Sequence, residues 1–170
     1  VVHIELASRG DGQRRRTIED VYDGVHDGTV LGEGVSGVVR LVSHRSTGVQ
    51  YAVKVLNVAE VRTEEGLRQL REEICVMCEL DHPNIVRLEE VYESSRGGTA
   101  AAADDDDDDD EKIYLVQELC AGRELFDRLE EQPEYRYEEG ECARLVGQML
   151  SAVRFMHSKG IVHRDLKLEN

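Results

Sequence analysis

The chain has 170 residues, 40% of them hydrophobic and 34% charged, enough for one domain with a core of its own. Its formal net charge is −15, and seven of the acidic residues form the single run Asp104 to Asp110. That balance excludes non-specific binding to nucleic acid or anionic lipid, while leaving room for a local positive pocket that takes a nucleotide.

Residues 1–27 are polar, with a small basic cluster at Arg14-Arg15-Arg16, and read as a flexible leader. No apolar run reaches membrane-spanning length and no signal peptide is visible, so a cytoplasmic location is expected. From Gly28 the pattern changes. Gly32, Gly34 and Gly37 stand at the G-x-G-x-x-G spacing, which lets backbone approach phosphates. A dinucleotide fold would open a helix at the last glycine. Here Val38-Val39-Arg40-Leu41-Val42 follows, rich in β-branched residues and strand-like, then the turn cluster Arg45 to Gly48 and a second run from Val49 to Val55. The glycines therefore belong to a strand-turn-strand lid. In the second run Ala52 and Lys54 share a face, so a small residue leaves space for a flat ring beside an ammonium that can reach phosphate.

Thr63 to Leu80 reads as a helix with Thr63 as its N-cap. Leu67, Leu70, Ile74 and Met77 recur at helical spacing, and Glu73 falls at the margin of that apolar face, where a carboxylate needs a cation; Lys54 is the natural partner. Cys75 and Cys78 form a C-x-x-C inside this helix without a second pair at zinc spacing, and with Cys120 and Cys142 they read as reduced thiols. Strands are expected at Val86–Tyr92 and Ile113–Leu119. The alanine and aspartate insert between them, about residues 95–111, reads as a disordered loop, since like charges in a block repel and resist compaction, and it lacks the spaced ligands of a calcium loop. Glu139 to Lys159 reads as a long helix stopped by Gly160. The chain then reaches His163-Arg164-Asp165-Leu166-Lys167-Leu168-Glu169-Asn170. Here an aspartate can take a hydroxyl proton, a lysine can hold phosphate and an asparagine can hold a metal.

This last stretch resembles the catalytic loop of protein kinases, H-R-D-L-K-x-x-N. The glycine loop, Ala52-Val53-Lys54, Glu73 and His82-Pro83-Asn84-Ile85-Val86 resemble further parts of that family, and Leu115 to Phe126 resembles its hinge, all in family order over residues 28–170. Lys167 is the serine/threonine form of the loop. The hinge and the turn at His82 look most similar to the calcium-dependent, calcium/calmodulin-type kinases. Leu168, in place of the commoner proline, and Ser36, in place of the usual aromatic, depart from the pattern. The resemblance implies an α+β, protein-kinase-like fold: an antiparallel five-stranded N-lobe sheet with one C-helix (28–118), then the hinge and first helices of a helical C-lobe (119–170). It implies ATP and Mg²⁺ as cofactors and proteins bearing serine or threonine as substrates.

By that resemblance Gly32, Gly34 and Gly37 cover the phosphates. Leu31, Val39 and Ala52 sandwich adenine, and the backbone of Glu118 and Cys120 bonds its edge. Glu124 faces the ribose and Gln117 the back pocket. Lys54 anchors the phosphates and Glu73 holds Lys54. Asp165 takes or orients the substrate proton, Lys167 neutralises the moving phosphoryl group, Asn170 holds Mg²⁺, and Arg164 reads a phosphate or acid on an activation loop. The 170 residues contain no Asp-Phe-Gly, no activation segment and no EF-hands, so the domain reads as truncated after the catalytic loop. This piece is expected to be inactive or nearly so, with a calcium-sensing module in a C-terminal part it does not include. The other readings are a truncated pseudokinase that binds nucleotide or a partner, and an acidic interaction protein built on the aspartate run.

Overall fold

A computed structural model describes residues 3–5, 16–34, 37–61, 63–94 and 111–168. The acidic insert (95–110), Ser36, most of the Arg14–Arg16 cluster and Asn170 lie outside the described residues. The chain divides into two compact units. One comprises residues 1–79 and 88–119, the other residues 80–87 and 120–170. The last boundary falls between Leu119 and Cys120, inside the stretch read as a hinge.

The first unit is a sheet with one helix. Its strands are β1 (His3–Glu5), β2 (Tyr22–Asp23), β3 (Val30–Gly34), β4 (Gly37–His44), β5 (Gln50–Asn57), β6 (Leu88–Glu93) and β7 (Lys112–Glu118). They lie in the order β1-β6-β7-β5-β4-β2, with β3 also paired to β4. The five expected strands are β3 to β7, and they pair antiparallel as expected. Two short strands add to them: β2 antiparallel to β4, and β1 parallel to β6. The β6–β7 ladder closes with the Ser94 amide donating to the Lys112 carbonyl at 2.9 Å and the Lys112 amide donating to Ser94 Oγ at 2.7 Å. Both ends of the acidic insert are thus pinned side by side.

The alternation of side chains divides the buried residues between the two faces of the sheet. One face packs Leu56, Leu88, Val91, Ile113 and Leu115 against Ile74 of the helix α1 (Glu64–Cys78), with Leu67, Leu70, Met77 and Cys78 around them. Thr63 Oγ1 accepts the Gly66 amide at 3.1 Å and caps α1, as its position in the sequence predicts. The other face packs Val42, Val53, Tyr92, Tyr114 and Val116 against Ile18, Val21, Tyr22 and Val25.

Those last four residues correct the reading of 1–27 as a flexible leader. Residues 18–25 form a turn of 3-10 helix and the strand β2, and their apolar side chains close the outer core. The Tyr22 and Tyr92 hydroxyls both donate to Glu90 Oε2, at 3.0 and 2.6 Å. Burial, with the Glu90 carboxylate beside it, pushes the Tyr22 phenol well above its ordinary pKa.

The second unit carries α2 (Leu125–Glu130) and α3 (Glu139–Ser158). Gly160, at φ 76°, ends α3 in a full Schellman motif: its amide bonds His157 O and the Ile161 amide bonds Met156 O at 2.9 Å. The turn after α1 belongs to this unit, where His82 bonds Ser151 at 3.1 Å and packs on Phe155 of α3.

Truncating Tyr22 to alanine is expected to cost about 3–5 kcal/mol, the range for a buried aromatic. Urea midpoints of the chain and of Tyr22→Ala measure it; a silent substitution would mean that residues 18–25 do not belong to the core. The phenol's raised pKa adds a pH signature. The neutral form is favoured when folded, so its stabilisation is complete below the unfolded pKa, near 10, and is lost as pH rises past it. The Tyr22→Phe chain is expected to lack that alkaline loss.

Candidate functional site

In the sheet unit the candidate residues are set by strand register. Residues directly opposite in an antiparallel ladder share a face. Val39 on β4 faces Lys54 on β5, which faces Leu115 on β7, which faces Val91 on β6. The neighbouring row is Leu41, Ala52, Gln117 and Leu88. Leu56, Leu88, Val91 and Leu115 of this face are buried with α1, so Lys54 and Ala52 lie on the α1 side of the sheet. Ala52 is buried, whereas Val39, Lys54 and Gln117 are half-buried. The ammonium therefore rises from an apolar row with part of its surface open, next to a small side chain.

The glycine hairpin leads into that row. Gly32 pairs with Val39 and Gly34 with Gly37, and the register slips between Val30 and Gly32, leaving Leu31 as the unpaired bulge residue, exposed. The glycines have different reasons. A methyl added at Gly37 would lie 2.0 Å from the Val55 carbonyl oxygen, and φ there is +117°. Gly37 is thus required by the fold. A methyl added at Gly32 meets nothing within 4 Å, so the space over that residue is open to a ligand.

Glu73 is the exception. It is exposed on α1, and among the described residues neither it nor Lys54 forms an ion pair. The expected pairing is not formed in this structure. The reason lies in the packing: α1 meets the sheet through Ile74, Leu67, Leu70 and Met77, and the adjacent Glu73 stays in water, where a carboxylate needs no partner.

In the helical unit Lys167 Nζ lies 3.2 Å from Asp165 Oδ2. The loop that carries them turns at Arg164, whose φ of 68° is left-handed, and the Asp165 amide donates to His163 Nδ1 at 3.3 Å across that turn. A non-glycine residue held there costs on the order of 1–3 kcal/mol, which the surrounding loop must supply. The Phe126 amide of α2 donates to the Leu168 carbonyl at 3.1 Å and ties the loop's far end to that helix. Cys120 is exposed just before α2, and the exposed Glu124 stands at its N-cap position without a side-chain capping bond. Asn170, the expected metal ligand, lies outside the described residues, among which no cluster of three His, Cys, Asp or Glu could hold a metal. None of these helices is long and apolar enough to cross a membrane.

Reading the sequence by motif found the turn at His82 but not its partners: Nδ1 accepts the Asn84 amide at 3.1 Å while Nε2 faces Ser151. The signal was a histidine before proline in a turn, which carries no chemistry until its partner on α3 is known.

The glycines yield a test by stability alone. Gly32→Ala is expected to leave the unfolding midpoint unchanged or raised, by up to about 1 kcal/mol, through reduced freedom of the unfolded chain. Gly37→Ala is expected to lower it by several kcal/mol, since backbone must move to admit the methyl. Equal effects would show that the two glycines do not differ as described.

Comparison with known proteins agrees with these features. Residues 25–170 match the family model described as protein kinase domain. Calcium-dependent protein kinase 5 of Plasmodium falciparum (isolate 3D7) is 41% identical over 154 residues, covering 90% of this chain and 23% of that protein. A probable myosin light chain kinase of Dictyostelium discoideum is 35% identical over 98% of this chain and 37% of its own length. Calcium/calmodulin-dependent protein kinase type 1B of Rattus norvegicus is 37% identical over 92% of this chain and 40% of its own. The chain thus spans less than half the length of each of these relatives. With the family model covering most of its residues, the chain belongs to the protein kinase domain family.

Proposed function

We propose that the chain carries the nucleotide-binding sheet and the catalytic loop of a serine/threonine protein kinase that moves the terminal phosphoryl group of ATP to protein hydroxyls. The observation that carries this reading is the Asp165–Lys167 contact of 3.2 Å on a loop with a strained turn. An acid that accepts or orients a hydroxyl proton, beside an ammonium that neutralises phosphoryl charge, is what such a transfer needs.

The other roles follow the family. The open backbone at Gly32, with Gly34 and Gly37, takes the phosphates. Lys54 meets the α- and β-phosphates and Glu73 serves as its carboxylate partner. Leu31, Val39 and Ala52 hold the adenine ring, and Glu118, Cys120 and Glu124 its edge and ribose. Mg²⁺, brought with ATP and held in part by Asn170, supplies neutralisation of phosphate charge. The names of the relatives support calcium control in a longer protein; serine/threonine specificity and a cytoplasmic setting are part of the reading proposed here. Of the metal ligands of such kinases the 170 residues carry Asn170 alone, without an Asp-Phe-Gly. We assign them nucleotide binding with little turnover. The competing reading is a pseudokinase, a module that binds nucleotide and never transfers phosphate.

Titration of the 170-residue chain with ATP and Mg²⁺ tests the first part. Lys54→Ala is expected to weaken binding about tenfold or more, since one charged contact is worth at least about 1.4 kcal/mol. Turnover on a serine-containing peptide is expected to fall several orders of magnitude below the roughly 1–100 s⁻¹ of kinases. Asp165→Asn should abolish what remains without changing ATP affinity; transfer that survives this substitution would remove Asp165 from the chemistry, and ATP binding with no transfer above background in the unsubstituted chain would sink the enzyme reading and favour the binding module.

A further inference from the structure

The C-x-x-C of α1 takes no part in the proposed chemistry. Cys75 and Cys78 lie one turn apart at the C-terminal end of the helix, and Cys78 is its last residue. Cys75 is exposed, whereas Cys78 is half-buried against the Ile74 cluster, and both are free thiols. Helix geometry sets their α-carbons about 5 Å apart, inside the usual disulfide range of 4.4–6.8 Å. The β-carbons of a regular helix at that spacing are about 5.6 Å apart, more than the usual 3.5–4.5 Å. Closure therefore needs the last turn to move, and this turn is placed to move. The Glu79 amide already bonds Val76 O in the tighter three-residue pattern, no residue from Cys75 to Glu79 is fully buried, and the chain passes into the other compact unit at Leu80.

We propose that Cys75 and Cys78 form a reversible dithiol modification site, closed to a disulfide by hydrogen peroxide and reopened by a reducing thiol. The thiolate of Cys75, the exposed member, attacks a peroxide oxygen, breaking the O–O bond; the sulfur becomes a sulfenic acid and the other oxygen leaves as water. The Cys78 sulfur then attacks that sulfenic sulfur, its proton goes to the departing hydroxide, and a second water leaves. Two thiols lose two electrons and two protons, and one peroxide is reduced to two waters. Burial and the neighbouring Cys75 raise the Cys78 pKa, which suits Cys78 to the second step rather than the first. Because the bond is made against helix geometry it is strained, and strained disulfides reduce readily. Its cost falls on the half-buried Cys78 contact and on the end of the helix that carries Glu73.

The experiment is intact-mass analysis of the 170-residue chain after hydrogen peroxide, followed by tryptic mapping. The peptide Glu72–Arg87 contains both cysteines and neither Cys120 nor Cys142. The expected result is that this peptide loses two hydrogens, regains them with glutathione, and shows no such loss in Cys75→Ser or Cys78→Ser. Phenylarsine oxide, a reagent for paired thiols, should bind the reduced chain and not the oxidised one. Oxygen added to Met77 in the same peptide is a gain in mass and is told apart. The proposal is overturned if the peptide keeps two free thiols while Cys120 or Cys142 reacts. It is equally overturned if the two sulfurs take up oxygen separately, or if they bridge only to other cysteines or to a second chain.

Discussion

The ladder joining β4, β5 and β7 is the constraint on which the rest depends. Side chains alternate along a strand, so a slip of one residue between β5 and its neighbours would turn Lys54 and Ala52 from the α1 side of the sheet to the outer core, and Val53 from the outer core to the α1 side. The pairing of Lys54 with Val39 and Leu115, and of Val53 with Arg40 and Val116, excludes that slip because each face is committed to a different set of apolar partners. Val53 and Val116 are completely buried on the outer side, and Leu115 is nearly so on the inner. Turning Val53 out of that core would cost roughly 1.5–3 kcal/mol of lost burial, before the contacts that Val116 and Leu115 would lose. The position of one ammonium is thus fixed by valines that never touch it.

Two elements hold the register from outside the ladder. On one face α1 presses Ile74 onto Leu88, Val91 and Leu115. On the other, residues 18–25 press Val21 and Tyr22 onto Val42, Val53 and Val116, with two phenols sharing the Glu90 carboxylate. Shared acceptance by a charged oxygen is worth more than a neutral hydrogen bond and also fixes direction. The segment before the glycine hairpin is therefore a structural part of the sheet. It covers the face opposite the lysine.

The parts legible in the sequence were those whose signal is local. β-branched runs gave β4 and β5, Thr63 gave the start of α1, and Gly160 gave the end of α3, each within a residue or two of where it lies. The nearness of Asp165 and Lys167, at 3.2 Å, was legible because the two stand two residues apart and the contact is local. What was not legible depends on partners distant in sequence. Ile18, Val21, Tyr22 and Val25 recur at three- and four-residue spacing, a periodicity easily lost in a polar stretch, and only strands farther along the chain, β4 to β7, make a core of them. The Lys54–Glu73 pair failed as a geometric reading for a related reason. A helical wheel gives the angle of Glu73 around α1 but not the depth at which α1 sits on the sheet.

That depth also decides what a missing ion pair means. An exposed pair of opposite charges contributes about 0–1 kcal/mol, less than one well-buried leucine. Such a pair cannot hold a fifteen-residue helix in place against its own packing, so the position of α1 is set by Ile74 and its neighbours rather than by Glu73. Lys54 does not need the carboxylate to stay on its face, since the ladder places it there. What the carboxylate adds is direction, by holding a flexible four-carbon stem toward one point. The same sheet can therefore present its ammonium while α1 leaves Glu73 in water. Pairing then becomes a property of where the helix lies, and the turn bearing Cys75 and Cys78 is the part of that helix nearest the change of unit at Leu80.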